Sequence, residues 1–438
     1  MSARPLPSYN PAEPVRRLRA DLYHCMVDGL LYCLMVGLGE SFIPAFVMRL
    51  GLGPIAAGLV LTAPVVVGAW AQLLAPTILQ RFGSYVRFVW VTALLQAAMY
   101  VPLAALAIFW PLVMRIAGEA GAAWAPGALV FACVTLYWIF GMLGAPAWMS
   151  MCGKLIPQRV RGGYFGRRLR FLQAATLLGL LAHGGVMTLA GEDPTSRLRA
   201  SALLFVAAAV MRLGSVWHLS RYTEPAAPPS SEPRFSPQEV VSTLLRGPAG
   251  RFVAFAAVAW FAAQIAQPYF NPFMLERLEL SPMVYSGMLA AWFFGKGVAQ
   301  PWMGRFAARR GSLRPLAFAA AGLVPLPVLW LSTSRPEALI LFQFVSGVVW
   351  GMFDLGLFLQ QFETTDSKNR TVVLSCLTAM NETAKTGGSL VGGGILDAGG
   401  SGGGAYTWVF WSSAAARVVA LLFLIRLRKR PSHPAAAD

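Results

Sequence analysis

Twelve apolar segments, separated by short polar connections, dominate this sequence of 438 residues. Each reaches about the 20 residues that a helix needs to cross the hydrocarbon core of a bilayer. They lie near 23–48, 54–79, 85–109, 125–150, 169–190, 200–220, 250–274, 283–304, 313–333, 337–361, 371–396 and 405–426. Only 13% of the residues are charged, against about 25% in soluble proteins. The sequence therefore predicts an all-α integral membrane protein with twelve transmembrane helices.

An internal repeat divides these segments into two sets. Residues 44–84 and 272–312 align without gaps at an interval of 228, and twelve of the 41 positions are identical. The identical pairs include Pro44/Pro272, Pro54/Pro282, Gln72/Gln300, Arg81/Arg309 and Gly83/Gly311. Such a repeat predicts two parallel six-helix halves, the layout of many secondary transporters. We expect the halves at 23–220 and 250–426.

Basic residues mark one side of this predicted membrane protein. Of the 36 Lys and Arg residues, 26 lie in the two tails and in every second loop, whereas the intervening loops hold six. The positive-inside rule places the tails and those loops in the cytoplasm. We expect a cytoplasmic N-tail at 1–22, a cytoplasmic linker at 221–249 with a short capped helix near 236–247, and a cytoplasmic C-tail at 427–438. The net charge of +17 then faces anionic lipid, and no nucleic-acid partner is expected.

The loops after the second and eighth segments read QRFGSYVR and ARRGSLR. Both resemble the Gly-x-x-x-Asp-Arg-x-Gly-Arg-Arg signature of the major facilitator superfamily, at its two expected places. The matching positions are Arg81, Gly83, Arg309 and Gly311. In that family the Gly permits a tight cytoplasmic turn, and the Arg and Asp latch the halves in the outward-open state. Gln80 and Ala308 stand where the family has Asp.

This resemblance implies a secondary active transporter that moves a small solute by alternating access, with protons as the expected coupling ion. Its substrate and direction stay open. We expect a monomer in the inner membrane of a bacterium, with no cofactor and no enzymatic activity. Two alternatives remain: a non-transporting assembly factor or sensor on the same fold, and a copper-type metal importer. His183 and Met187, four residues apart, would be soft ligands for the latter, although no metal site is assigned.

Eight charged residues interrupt the predicted spans, where a charge is costly unless it faces a cavity or a partner. They are Asp28, Glu40, Arg212, Lys296, Asp354, Glu382, Lys385 and Arg417. In the family, helices three, six, nine and twelve form an outer scaffold. On that map we expect structural roles for Arg212 and Arg417, whose side chains would extend towards the cytoplasmic interface. For Asp28 we expect capping or pairing.

Four of the other charges are candidate coupling or substrate groups. Glu40 would carry the coupling proton or form a structural hydrogen bond. Asp354 would be a coupling or substrate group, and Lys296 would be its partner or a ligand of an anionic substrate. Glu382 and Lys385 are three residues apart, so they share a helix face and can form an ion pair.

Polar and aromatic side chains complete the candidate site. Gln264, Gln267 and Asn271 fall at i, i+3 and i+7 and form one polar stripe on the seventh helix. The stripe would bind a hydroxylated substrate or hydrogen-bond to a neighbouring helix. Tyr32 and Trp350 would supply aromatic walls, or serve only in packing.

The predicted orientation can be tested by labelling single cysteines in a cysteine-free background. An impermeant thiol reagent added to intact cells should leave Ser230→Cys and Ser432→Cys variants unlabelled, because both positions are expected in the cytoplasm. A Glu192→Cys variant, in an intervening loop, should react. External labelling at position 230 or 432 would contradict the predicted topology.

Overall fold

The structure is a computed structural model that describes residues 12–119, 125–225, 248–278, 280, 282–365, 370–399 and 404–428. The helix predicted near 236–247 lies outside these residues. The described parts form twelve helical segments, α1 to α12, several of which are broken into shorter pieces.

The first half comprises α1 to α6. Their bounds are Ala12–Leu38, Glu40–Phe42 and Ile43–Arg49 for α1; Gly53–Ala71, Gln72–Leu74 and Ala75–Phe82 for α2; Tyr85–Ala98 and Tyr100–Glu119 for α3; Ala125–Leu155 for α4; Gln158–Leu189 for α5; and Pro194–Leu219 for α6. The second half comprises α7 to α12. Their bounds are Pro248–Gln264, Gln267–Tyr269, Phe270–Pro272 and Phe273–Arg277 for α7; Pro282–Arg310 for α8; Leu313–Leu323 and Leu326–Leu329 for α9; Pro336–Thr364 for α10; Arg370–Ala398 for α11; and Gly404–Arg428 for α12.

Nine helical stretches in the described residues are long and apolar enough to cross a membrane. The other three segments are α8, α9 and α11, of which α9 is a shorter apolar helix and the other two carry more polar residues. The predicted boundaries agree within about six residues except at two helix starts and at the end of α3, which continues to Glu119, ten residues beyond its predicted end. The α1 helix begins at Ala12 and the α5 helix at Gln158, each eleven residues earlier than predicted. The basic residues counted above as loop charges include Arg167, Arg168 and Arg170, which lie within α5, so their assignment to a loop was wrong.

Proline breaks α1 and α7 at corresponding places in the repeat. Both helices pass through a short 3-10 turn, at Glu40–Phe42 in α1 and at Gln267–Tyr269 in α7. Proline has no backbone N–H, so Pro44 cannot bond the carbonyl of Glu40, and Pro268 cannot bond that of Gln264. Each break turns polar side chains and free carbonyls into the interior of its half.

The hydrophobic cores show how the halves meet. One core joins side chains of both halves, such as Tyr85 and Phe165 with Met303 and Phe362, at the end of the bundle where α1 begins and α12 ends. At the opposite end each half has its own core. These two separate cores include Phe46, Tyr100 and Trp110 in the first half, and Phe273, Trp330 and Phe410 in the second. The halves are thus joined at the end that carries the termini and separate towards the other end.

Small residues allow the closest approach at the joined end. A Cβ atom on Gly304 of α8 would lie 2.3 Å from the carbonyl oxygen of Gly162 in α5, and one on Gly166 would lie 2.6 Å from that of Gln300. Beside this contact, the hydroxyl groups of Ser150 and Thr371 lie 2.7 Å apart. The joined end is therefore held by backbone contact, apolar packing, a hydroxyl pair and the guanidinium of Arg161, which lies 4.6 Å from the ring centroid of Phe362.

Adding one methyl group at this contact should open the joined end. In Gly162→Ala the new Cβ would lie 2.8 Å from the Gly304 carbonyl oxygen, whereas Gly163→Ala meets nothing within 4 Å. Both changes raise helix propensity equally, so their difference isolates the contact. Overpacking by a methylene costs roughly 1–3 kcal/mol. A thiol placed by Thr371→Cys, at a buried position, should react severalfold faster in the Gly162→Ala background only. Equal rates in both backgrounds would contradict the contact.

Candidate functional site

Three ion pairs form among the described residues, and each lies within one half. Each pairing offsets the cost of about 2.5–3.5 kcal/mol for a charge at the centre of a bilayer. The ion pairs are Arg168 with Asp28, Lys296 with Asp354 and Lys385 with Glu382. Glu40, Arg212 and Arg417 are further charged groups in the interior of these helices.

Glu40 lies at the break of α1, towards the end where the halves separate. Its carboxylate accepts a hydrogen bond of 2.5 Å from the hydroxyl of Tyr137 in α4. The hydroxyl of Tyr100 in α3 lies 3.2 Å from that of Tyr137, and Tyr100 also donates to the sulfur of Met35 at 2.8 Å. Glu40 is half-buried and is held by a neutral phenol, which distinguishes it from the three acids in ion pairs.

Asp28 is the centre of a buried network that joins α1, α3, α5 and α6. It accepts a hydrogen bond of 2.6 Å from Ser215, and the Arg168 guanidinium lies 3.8 Å away. Arg212 donates to Ser215 and to the side-chain oxygen of Gln96, both at 2.9 Å. The expected pairing of Asp28 is therefore present. The expectation that Arg212 extends towards the cytoplasmic interface was wrong, because its guanidinium is bound inside the half.

This network lines a cavity of about 270 Å³ within the first half. Tyr32 forms one wall, with the guanidinium of Arg212 4.8 Å from its ring centroid. Trp148 forms another, with the guanidinium of Arg168 at 5.1 Å. Gly29 makes room for this arrangement, since a Cβ there would lie 2.2 Å from Arg168. The cavity combines two guanidinium groups, one carboxylate and aromatic faces, so its cationic groups outnumber its acid.

In the second half, Lys296 and Asp354 form an ion pair between α8 and α10, with an N–O distance of 2.7 Å. The lysine ammonium also lies 4.3 Å from the ring centroid of Trp292. Gly351 brings the two helices together, because a Cβ there would lie 2.8 Å from the Cα of Lys296. The lysine is therefore fully engaged by its partner in this state.

Glu382 and Lys385 form the expected ion pair along one face of α11, at 2.6 Å. The ammonium of Lys385 lies 4.4 Å from the ring centroid of Trp260 in α7. That ring stacks on Trp350 of α10 at a centroid distance of 5.7 Å. Trp350 thus belongs to an aromatic and charged cluster that joins α7, α10 and α11.

The predicted polar stripe on the seventh helix is not one helix face. Gln264 ends the first piece of α7, Gln267 begins the 3-10 turn, and Asn271 follows in the next piece. Pro268 causes the break, since it removes the N–H that would continue the helix. Gln267 and Asn271 line a cavity of about 260 Å³ inside the second half, and Trp350 lines it too. Gln264 is absent from that lining, and its side-chain oxygen is buried without a hydrogen-bond partner.

Arg417 of α12 lines the same cavity. Its Nη1 donates to the carbonyl oxygen of Leu323 at 2.7 Å, whereas its Nε has no hydrogen-bond partner. Leu323 has a free carbonyl because the residue four positions on, Pro327, has no N–H to donate. The expectation of a side chain extending towards the interface was wrong here too, because Arg417 is 5% exposed and faces a cavity.

The two loops with the family signature turn in the same way. Gly83 and Gly311 adopt φ values of 67° and 76°, in the left-handed region that favours glycine. Arg81 and Arg309 lie exposed at the preceding helix ends.

The acid that each loop lacks is supplied from another element. The Glu224 carboxylate accepts from the backbone N–H of Tyr85 at 2.7 Å, at the start of α3. The Glu363 carboxylate accepts from the N–H of Ser312 at 3.1 Å, at the start of α9. A negative charge is favourable at a helix N-terminus. These carboxylates therefore anchor each loop within its own half, where the family signature would use its Asp.

His183, one of the two residues considered for a metal importer, is bound through one ring nitrogen, whereas its Nε2 is buried without a hydrogen-bond partner. The Nδ1 of His183 lies 2.7 Å from the carbonyl oxygen of Leu38, which the break in α1 frees, and its ring stacks on Phe42. In the part of the chain that the structure describes, no group of three or more His, Cys, Asp and Glu side chains could hold a metal ion.

Sequence reasoning missed Arg168 as a cavity residue because it was counted as a loop charge. A signal was available: Gly162 and Gly166, four residues apart, are typical of close helix packing in membranes. Gln96 and Ser215 could not be chosen among many polar residues, since only the fold brings them to Arg212.

Comparison with known proteins agrees with this architecture. Residues 252–438 match the family model of the Major Facilitator Superfamily. A search of curated proteins finds no match to the chain.

Solved transporters share the fold along nearly the whole chain. A bacterial homologue of the iron transporter ferroportin, in an outward-facing state, has a TM-score of 0.71 at 13% identity, over 93% of this chain and 99% of that one. The proton:xylose symporter XylE has a TM-score of 0.68 at 15% identity, over 94% and 96%. The human organic anion transporter MFSD10 has a TM-score of 0.67 at 14% identity, over 95% and 100%.

At these identities the solved structures establish the fold along nearly the whole chain, and the family match covers its second half. The chain is a multi-pass membrane protein with the fold of the major facilitator superfamily, and its residues 252–438 match that family's model.

Proposed function

We propose that this protein is a proton-coupled secondary transporter that moves a small solute by rocking its two halves, with Glu40 as the coupling group. The membrane is the cytoplasmic membrane of a bacterium, and both termini face the cytoplasm. On that orientation the halves separate towards the outside, so the structure corresponds to an outward-open state.

The observation that carries the rocking motion is the distribution of cores and charges. The halves share one core at the end with the termini and have separate cores at the other. The three ion pairs among the described residues each lie within one half. Opening the joined end therefore separates apolar surfaces, glycine contacts and the Ser150–Thr371 hydroxyl pair, and it breaks none of those ion pairs.

Glu40 is the preferred coupling group because of its surroundings. Asp28, Asp354 and Glu382 each lie beside a cationic side chain. Glu40 instead accepts from the neutral hydroxyl of Tyr137. Its protonation leaves no ammonium or guanidinium group without its counter-ion. It also lies at the proline break of α1, so a change in its charge acts at a natural bend.

Glu40→Gln should abolish the pH dependence of the conformational equilibrium. The amide keeps the shape and can still bond to Tyr137, but it cannot titrate. The thiolate fraction of any cysteine changes with pH, so the labelling rate of the Thr371→Cys reporter is divided at each pH by the rate in the denatured protein. This ratio should vary with pH in the otherwise unchanged protein and stay constant in Glu40→Gln. Glu192→Gln, which changes an exposed loop glutamate, is the matched control and should keep the pH profile.

The same variants separate coupling from transport in proteoliposomes. Solutes taken up from a defined mixture of sugars, amino acids and organic acids are measured by mass spectrometry. Accumulation driven by a pH gradient should fall in Glu40→Gln, while exchange at equal pH should survive. A variant with an unchanged pH profile in both assays would show that Glu40 is structural.

A further inference from the structure

Arg417 is an unusual group for a membrane-spanning helix. Its side chain is 5% exposed, and a guanidinium has five N–H donors. One hydrogen bond is present, from Nη1 to the Leu323 carbonyl oxygen, and Nε has none. Within the described residues, Arg417 is in none of the ion pairs. A buried cation that retains unused donors is costly, because its lost hydration is not replaced.

The cavity in front of Arg417 offers hydrogen-bonding groups but no negative charge. Gln267, Asn271, Gln343 and Ser346 contribute amide and hydroxyl groups to its lining, and no Asp or Glu takes part. The corresponding cavity of the first half differs, since Asp28 balances Arg168 there. Among the described residues that line this cavity, none therefore supplies the charge that would neutralise Arg417.

The remaining walls are aromatic. The cavity is lined by Trp292, Trp330 and Trp350, and by Phe270 of α7, whose ring lies 5.5 Å from that of Trp330. Rings of this kind pack well against a flat apolar group. A guanidinium recognises a carboxylate through two parallel N–H bonds, which neutral amides cannot match in strength. The lining thus has a place for a carboxylate and a place for an apolar body.

We propose that the cavity around Arg417 is a binding subsite for a small organic acid, whose carboxylate is bound by Arg417 and whose body lies against the tryptophans. This inference rests on the proposed function for the solute's passage, but binding itself is measurable without transport. Gln267 and Asn271, at the break of α7, would donate to the free edge of the carboxylate. The break would thereby link occupancy of the subsite to the shape of α7.

The test is binding of benzoate to the purified full-length protein, followed by ligand-induced thermal stabilisation and by tryptophan fluorescence. Benzamide is the neutral isostere, and inorganic phosphate is an anion without the apolar body. Benzoate should stabilise the protein, and benzamide should not. In Arg417→Gln the affinity for benzoate should fall by roughly tenfold or more, since charge-assisted hydrogen bonds are about twice as strong as neutral ones.

Two controls keep the result interpretable. Arg335→Gln removes an exposed loop arginine and should bind benzoate normally. Arg417→Lys keeps the charge and should retain part of the affinity. Without ligand, Arg417→Gln should melt at the same or a higher temperature, because it removes an unneutralised buried charge. A purely structural arginine would instead give a lower melting temperature and unchanged benzoate binding.

Several outcomes would overturn the subsite. These are equal binding of benzoate and benzamide, binding of phosphate without benzoate, or benzoate binding that is insensitive to Arg417→Gln. Failure of the proposed function has a different signature: Arg417-dependent binding of benzoate with no solute accumulation in proteoliposomes would keep the subsite and reject transport.

Discussion

The hydrocarbon surroundings require every polar group of the bundle to find its partner within the protein, and this requirement explains most of the interior. Proline and glycine break α1, α7 and α9 and free backbone carbonyls at the breaks. Long polar side chains from other helices then bind those carbonyls. His183 binds the carbonyl oxygen of Leu38, and Arg417 donates to the carbonyl oxygen of Leu323. Helix breaks and buried polar residues therefore occur together, and in the second half residues at the breaks line the internal cavity.

The same requirement separates what is rigid from what can move. Ion pairs are costly to break in a low-dielectric interior, and the three described pairs each lie inside one half. The described contacts between the halves include glycine backbone, aromatic rings, hydroxyl groups and one guanidinium on a ring, such as Gly304 against Gly162 and Arg161 against Phe362. Each half can thus move as a body while the joint between them opens. An alternating-access cycle needs this division of strong and weak contacts.

Much of this could be predicted from the sequence. The length of the apolar segments predicted the helices, because an apolar chain in lipid has few alternatives to a helix. The internal repeat predicted the two halves. The Glu382–Lys385 pair followed from helix spacing, since both residues lie on one helix. Pairings between helices were harder to predict. The Asp28 network needs α1, α3, α5 and α6 in place, and Arg168 entered it only because α5 begins eleven residues before its apolar part. Arg417 was assigned to the scaffold by its helix number, whereas the direction of its side chain decides its role.

The central claim is that the two ends of the bundle open in alternation. It is tested most directly by pulsed electron spin resonance on two pairs of spin labels, one between positions 192 and 334 at the separated end and one between positions 159 and 309 at the joined end. The account predicts two distance populations at each end. A change of pH or solute that moves a fraction of the molecules to the shorter distance at the separated end should move a matching fraction to the longer distance at the joined end. One unchanging population at both ends under all conditions would contradict it and would favour a protein that keeps the fold without transporting.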